Sequence, residues 1–172
     1  DGALEPTVVE LKDGRVMMWI RTNLGRFWKA YSDDGGIYWR RLEPSNVDAS
    51  SAPSWLARLA SGRLALVWNR IKAEDATEVT YSGKPGCGHE NNVSWYRAEL
   101  SIAFSEDDGE TWSQPVVIAR QPGGQLAYPY FLERNPGELW VFTRYTFLPG
   151  GKPAAPLMVS LKEEEFLRPT PK

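Results

Sequence analysis

The chain has 172 residues, 42% of them apolar, with 20 Lys and Arg against 22 Asp and Glu and a formal net charge of −2. That length suits about one domain, and that charge argues against a basic nucleic-acid binder and a polybasic membrane patch. One Cys and one His exclude an intrachain disulfide, a multi-Cys zinc site and a multi-His centre, so neither metal nor other cofactor is expected.

No apolar run approaches the ~18 residues of a membrane span, and no N-terminal signal-peptide pattern occurs, which leaves localisation open. Eight Trp, 15 Gly and 13 Pro suit many short strands joined by tight turns. In chain order, the first unit places strands at 6–12, 15–22, 26–32 and 38–43. The second places them at 53–59, 63–70, 98–105 and 111–119. The third places them at 126–134, 138–146 and 156–161, and Leu161 to Phe166 reads as a short turn or helix. The fold class is therefore all-β.

Two internal repeats organise these strands. Ser32-Asp33-Asp34-Gly35-Gly36-Ile37-Tyr38-Trp39 matches Ser105-Glu106-Asp107-Asp108-Gly109-Glu110-Thr111-Trp112, 73 residues later, as S-x-D-x-G-x-[T/Y]-W. Leu11-Lys12-Asp13-Gly14-Arg15-Val16 matches Leu59-Ala60-Ser61-Gly62-Arg63-Leu64 and, more loosely, Arg134-Asn135-Pro136-Gly137-Glu138-Leu139. Each of the latter joins two β-prone runs through a glycine turn. Units of four short strands recurring every ~40–50 residues are propeller blades. The blades fall near 1–48, 49–121 and 122–172, the third lacking an outer strand. The second carries extra residues within 71–97, where Gly83, Pro85, Gly86 and Gly88 mark a long loop.

The spacing of the eight-residue box has a folding logic. Its Asp accepts hydrogen bonds from turn N–H groups, its Gly permits positive φ, and its Trp offers a wide face to a neighbouring unit. Trp39 and Trp112 are therefore expected to be buried. The pairs Asp33/Asp34 and Asp107/Asp108 are turn residues before they are an acid/base pair.

The two boxes resemble the Asp-box, or bacterial neuraminidase repeat, of the sialidase superfamily. Glu5-Pro6-Thr7-Val8-Val9-Glu10-Leu11, Asp13-Gly14-Arg15 and Arg21 look like a sialidase's fourth blade. Tyr96-Arg97 looks like part of the fifth, and Leu126-Ala127-Tyr128-Pro129 like the start of the sixth. The resemblance implies a partial six-bladed β-propeller and a retaining exo-sialidase chemistry. It makes Tyr128 the nucleophile and Glu5 the base that activates it. Arg21 and Arg97 become two of the three arginines that hold the substrate carboxylate. Pro129 stands where a small polar residue is common in the family. The family's first arginine and its aspartate acid/base belong to an N-terminal half that finds no counterpart here.

The resemblance thus implies an acidic sugar or glycan as partner, and secreted or periplasmic relatives. It also implies a chain that is incomplete or inactive by itself, self-associating or binding a missing N-terminal half. The repeat supports the pairing of Glu5 with Tyr128: superposing Gly14 on Gly137 puts Glu5-Pro6 on Tyr128-Pro129 and Arg21 on Arg144. A neutral tyrosine nucleophile avoids the repulsion that a carboxylate would meet beside the sugar's own carboxylate, and guanidinium forks match that group bidentately.

Plainer readings stand beside these. Glu5 suits a surface strand start, Arg21 an ion pair with Asp13 or Glu10, Arg97 stacking on Tyr96 or Trp95, and Tyr128 core packing. Cys87 and His89 suit a loop, and Glu163-Glu164-Glu165 a solvated face. The alternative function is a non-catalytic propeller module that binds glycan or protein.

Overall fold

A computed structural model describes residues 3–81 and 93–167. The expected loop residues Gly83, Pro85, Gly86, Cys87, Gly88 and His89 lie outside that range. The described chain is all-β, with two short 3-10 turns at Pro149–Gly151 and Glu163–Glu165 and no helix long and apolar enough to cross a membrane.

Sheet 1 is the antiparallel meander β1 (Leu4–Glu10), β2 (Val16–Arg21), β3 (Arg26–Ser32) and β4 (Arg40–Asp48). Sheet 2 repeats it with β5 (Trp55–Arg58), β6 (Leu64–Trp68), β7 (Glu99–Ser105) and β8 (Val116–Arg120). The last unit is broken. A two-stranded piece pairs β9 (Gln125–Ala127) with β12 (Tyr145–Phe147), and a three-stranded piece orders β10 (Tyr130–Asn135), β11 (Glu138–Thr143) and β13 (Leu157–Lys162).

The middle sheet is buried on both faces, which explains why β6 reads Leu-Ala-Leu-Val-Trp without a polar alternation. Leu64, Leu66 and Trp68 pack toward sheet 1 against Met17, Trp19, Phe27 and Tyr31. Ala65 and Val67 pack toward the last unit, in one core with Leu100, Ile102, Phe131, Leu139 and Val141. Successive residues thus serve two cores, as a period of two requires. Each large apolar side chain buried this way contributes about 1.5–3 kcal/mol.

The boxes form the turns β3–β4 and β7–β8 and have one internal geometry. Asp34 Oδ1 accepts from the backbone N–H of Ile37 at 3.1 Å and of Tyr38 at 2.9 Å, and Ser32 Oγ accepts from Gly36 N–H at 2.8 Å. In the second copy Asp107 Oδ1 accepts from Thr111 N–H, and Ser105 Oγ from Gly109 N–H, each at 2.8 Å. These bonds hold the residues after the Asp in the turn. For that reason β4 starts at Arg40 and β8 at Val116, later than the strand pattern suggests.

The two tryptophans are half-buried rather than buried. Trp112 meets Trp19 of sheet 1 edge-on at 5.6 Å and packs on the first core. Trp39 folds over its own box, with Gly36 beneath it, and among the described residues no further sheet lies before sheet 1 to cover it.

One contact recurs between neighbouring sheets. Lys12 and Ala60 occupy the same place in the repeated glycine turns. The N–H of Lys12 donates to Asp108 Oδ2 at 2.8 Å, and that of Ala60 to Glu133 Oε2 at 2.7 Å. Each turn is thus pinned by a carboxylate from the next sheet. Arg58 joins the first of these clamps, donating to Asp108 Oδ1 at 2.7 Å and to Glu10 O at 2.8 Å. Glu164 and Glu165 are exposed, as expected of a solvated face, but Glu163 is not. It is only 5% exposed, because Ser61 Oγ donates to its carboxylate at 2.7 Å and Arg63 lies at 3.3 Å.

Candidate functional site

The end of the sheets opposite the boxes carries the start of β1, the end of β2 and the start of β5. Leu4 pairs with Arg21, and the register then slips before Thr7 pairs with Trp19. That bulge contains Glu5, at φ 42, and Pro6. Tyr128, at φ 54, interrupts the last unit in the same way, between β9 and β10. Positive φ is uncommon for such residues, and a bulge re-aims a side chain. The proline that follows each has no N–H to lose from a ladder. Pro53, the position of sheet 2 equivalent to Glu5, cannot adopt this conformation.

All four residues singled out in the sequence meet at this end. Arg21 is 6% exposed, and its Nη1 is ion-paired with the Glu5 carboxylate, not with Asp13 or Glu10. Its Nη2 donates to Ser51 Oγ at 3.1 Å, and Ser51 Oγ donates onward to Asn23 at 2.5 Å. Arg97 is 7% exposed, and its Nη2 donates to the Ser51 carbonyl at 2.7 Å. The Arg97 guanidinium carbon lies 5.3 Å from the Trp95 ring, 5.8 Å from Tyr128 and 5.6 Å from Tyr145. Tyr128 is exposed, its ring 5.0 Å from Tyr145. The stacking of Arg97 on Trp95 and its place in the cluster are therefore both true.

Arg97 is the open member. Its Nε is buried without a partner, and among the described residues no carboxylate lies within ion-pair distance. Burial, and then the charge of Arg21, push its guanidinium below the ordinary value. Two guanidinium groups thus stand beside one carboxylate, Glu5, which pairs with Arg21 alone, and the formal charge of the three is positive. A cleft of about 380 Å³ opens beside it, lined by the starts of the first strands of all three units: Glu5 to Thr7, Pro53 to Trp55 and Tyr128 to Tyr130.

Sequence reasoning missed the scaffold. Ser94 O accepts from Ser51 N–H at 2.8 Å, Ser94 Oγ donates to Ile71 O at 2.6 Å, and Arg97 O accepts from Leu126 N–H at 2.6 Å. Asn69 Nδ2 donates to the carbonyls of Glu99 and Leu126, both at 2.7 Å. Arg144, aligned with Arg21 by the repeat, is exposed, and its neighbour Tyr145 faces Arg97 instead. Tyr96 turns to Glu99, where burial and that carboxylate push its phenol up to about 12.

A family described as BNR repeat-like domain matches residues 1–141. The chain belongs to that family. No curated protein matches it significantly. Among solved structures it resembles the Ruminococcus gnavus intramolecular trans-sialidase in complex with oseltamivir carboxylate, at 16% identity and a TM-score of 0.63, over 97% of this chain and 34% of that one. It also resembles the NanB sialidase of Streptococcus pneumoniae, at 17% identity and 0.64, over 95% of this chain and 24% of that one. A Dyadobacter fermentans protein of unknown function gives 20% identity and 0.61, over 94% of this chain and 38% of that one. The BNR domain therefore has the fold of blades of a sialidase-type propeller, and it spans well under half of each of these proteins.

Proposed function

We propose that this BNR domain supplies one side of a site for a carboxylate-bearing sugar of the sialic-acid type. The observation that supports the reading is Arg97: a buried guanidinium beside a second one, with an unpartnered Nε and, among the described residues, no carboxylate of its own. Ionised guanidinium groups bind carboxylates by short, charge-assisted bonds, which strengthen where water is excluded. Arg21 is more fully engaged within the protein, so the incoming carboxylate centres on Arg97.

In the proposed reaction, the Tyr128 hydroxyl oxygen attacks the anomeric carbon. The bond to the leaving oxygen breaks, and Glu5 takes the phenol proton. The leaving oxygen takes its proton from an acid outside the four residues. Water then cleaves the tyrosyl–sugar bond with retention. Glu5 and Tyr128 line one cleft, which supports their joint use.

A second reading, a non-catalytic module for acidic sugars, is favoured by one contact: the Glu5 carboxylate is held by Arg21. A 2,3-difluorosialic acid separates the two. Attack by Tyr128 expels fluoride and leaves a covalent sugar, seen as a mass increase on the peptide holding Tyr128 and lost in Tyr128→Phe. Binding without an adduct supports the module.

A further inference from the structure

Two neighbouring guanidinium groups repel each other, and Glu5 pairs with only one of them. A second carboxylate would relieve the repulsion but would occupy the N–H fork of Arg97. The protein places an indole there instead. The Trp95 ring lies 6.0 Å from the Arg21 guanidinium carbon and 5.3 Å from that of Arg97, within cation–π reach of both. A ring face attracts cations through its quadrupole and uses none of their hydrogen-bond donors. Trp95 is 36% exposed, so core burial alone does not account for its position. Its backbone is held by the bonds of Ser94 to Ser51 and Ile71.

We infer that Trp95 is a positioning residue that holds Arg21 and Arg97 side by side while leaving the donors of Arg97 open to a carboxylate. The inference rests on the carboxylate-sugar reading and adds to it. A ring is required at this position, and an apolar side chain of similar bulk does not replace it.

The test compares Trp95→Phe and Trp95→Leu with the parent chain by two readouts. The first is the NMR signals of the arginine Nε–H groups, which report ring currents without any ligand. The second is titration with N-acetylneuraminic acid. In Trp95→Leu the Arg97 Nε–H signal loses the indole's part of its ring-current shift, the parts from Tyr128 and Tyr145 remaining, and affinity falls about fivefold to thirtyfold, the range expected for cation–π contacts. Trp95→Phe keeps the shift in part and stays within about threefold of the parent chain. Urea midpoints of the two variants agree, which separates positioning from a general loss of stability. Unmoved Nε–H signals in Trp95→Leu overturn the inference, as does equal affinity in Trp95→Leu and the parent chain. If the signals move as expected but the parent chain does not bind the sugar, the carboxylate reading fails and the positioning of the pair stands.

Discussion

Glu5 and Tyr128, 123 residues apart, share one backbone state: each has positive φ, at 42° and 54°, and each precedes a proline at the start of equivalent strands. A left-handed residue with a Cβ costs about 1–2 kcal/mol. Glycine is therefore expected to be more stable than alanine by about 1 kcal/mol at both positions, the reverse of the order in an ordinary strand. Urea unfolding of Glu5→Gly against Glu5→Ala, and of Tyr128→Gly against Tyr128→Ala, checks this. Comparing the two substitutions at each site cancels the lost side chain.

Asp108 combines strain with a clamp. It has φ 59 and accepts from Lys12 N–H and from Arg58. Asp108→Ala keeps the strain and loses both bonds, with an expected cost of about 2–3 kcal/mol. Asp108→Gly loses the same bonds but relieves the backbone, and is expected to be milder by about 0.5–1 kcal/mol. Chemical denaturation of both variants reads the order.

The boxes make stability depend on acid. Hydrogen bonds hold Asp34, through Tyr38 N–H first, and Asp107, through Thr111 first, below the ordinary carboxylate value of 3.8. A depressed folded-state value contributes stability that is full above the unfolded value, and that is lost as pH falls through the folded one. The domain should therefore hold its stability down to about pH 4 and weaken below it. Asp34→Asn with Asp107→Asn should flatten that acid limb, as measured by melting temperature against pH.

Thr143 is fully buried, its hydroxyl donating to the carbonyl of Ala127 and accepting from Tyr145 N–H at 3.0 Å. It ties the peptide leading into Tyr128 to the strand that carries Tyr145. Thr143→Val removes the hydroxyl's bonds to both backbone groups and is expected to cost about 1–3 kcal/mol, whereas Thr143→Ser keeps most of the stability. Thermal melts of the two variants make the comparison.

Much of this was legible from the chain. The boxes announced turns because Ser, Asp, Gly and Trp each have a local task there. The glycine turns put Glu5 opposite Tyr128 because the repeat preserves position along a strand. What stayed hidden depended on the backbone or on partners distant in sequence. A single run over 126–134 is broken by left-handed Tyr128, and no residue type at that position signals it. The half-buried state of Trp39 depends on which sheet lies beside it. The roles of the Ser51 carbonyl and of Asn69 depend on segments that meet only after folding. Trp95 was visible next to Arg97, but its contact with Arg21 was not.

In the proposed site, buried Arg97, with Arg21, receives a sugar carboxylate. Titration of the chain with N-acetylneuraminic acid and with its neutral methyl ester tests it most directly, each repeated on Arg97→Lys and Arg97→Ala. The account predicts that the acid binds and that the ester binds at least tenfold more weakly. It also predicts that Arg97→Lys recovers little of what Arg97→Ala loses, because an ammonium group lacks the planar fork. Equal binding of acid and ester, or acid binding that survives Arg97→Ala, would contradict it.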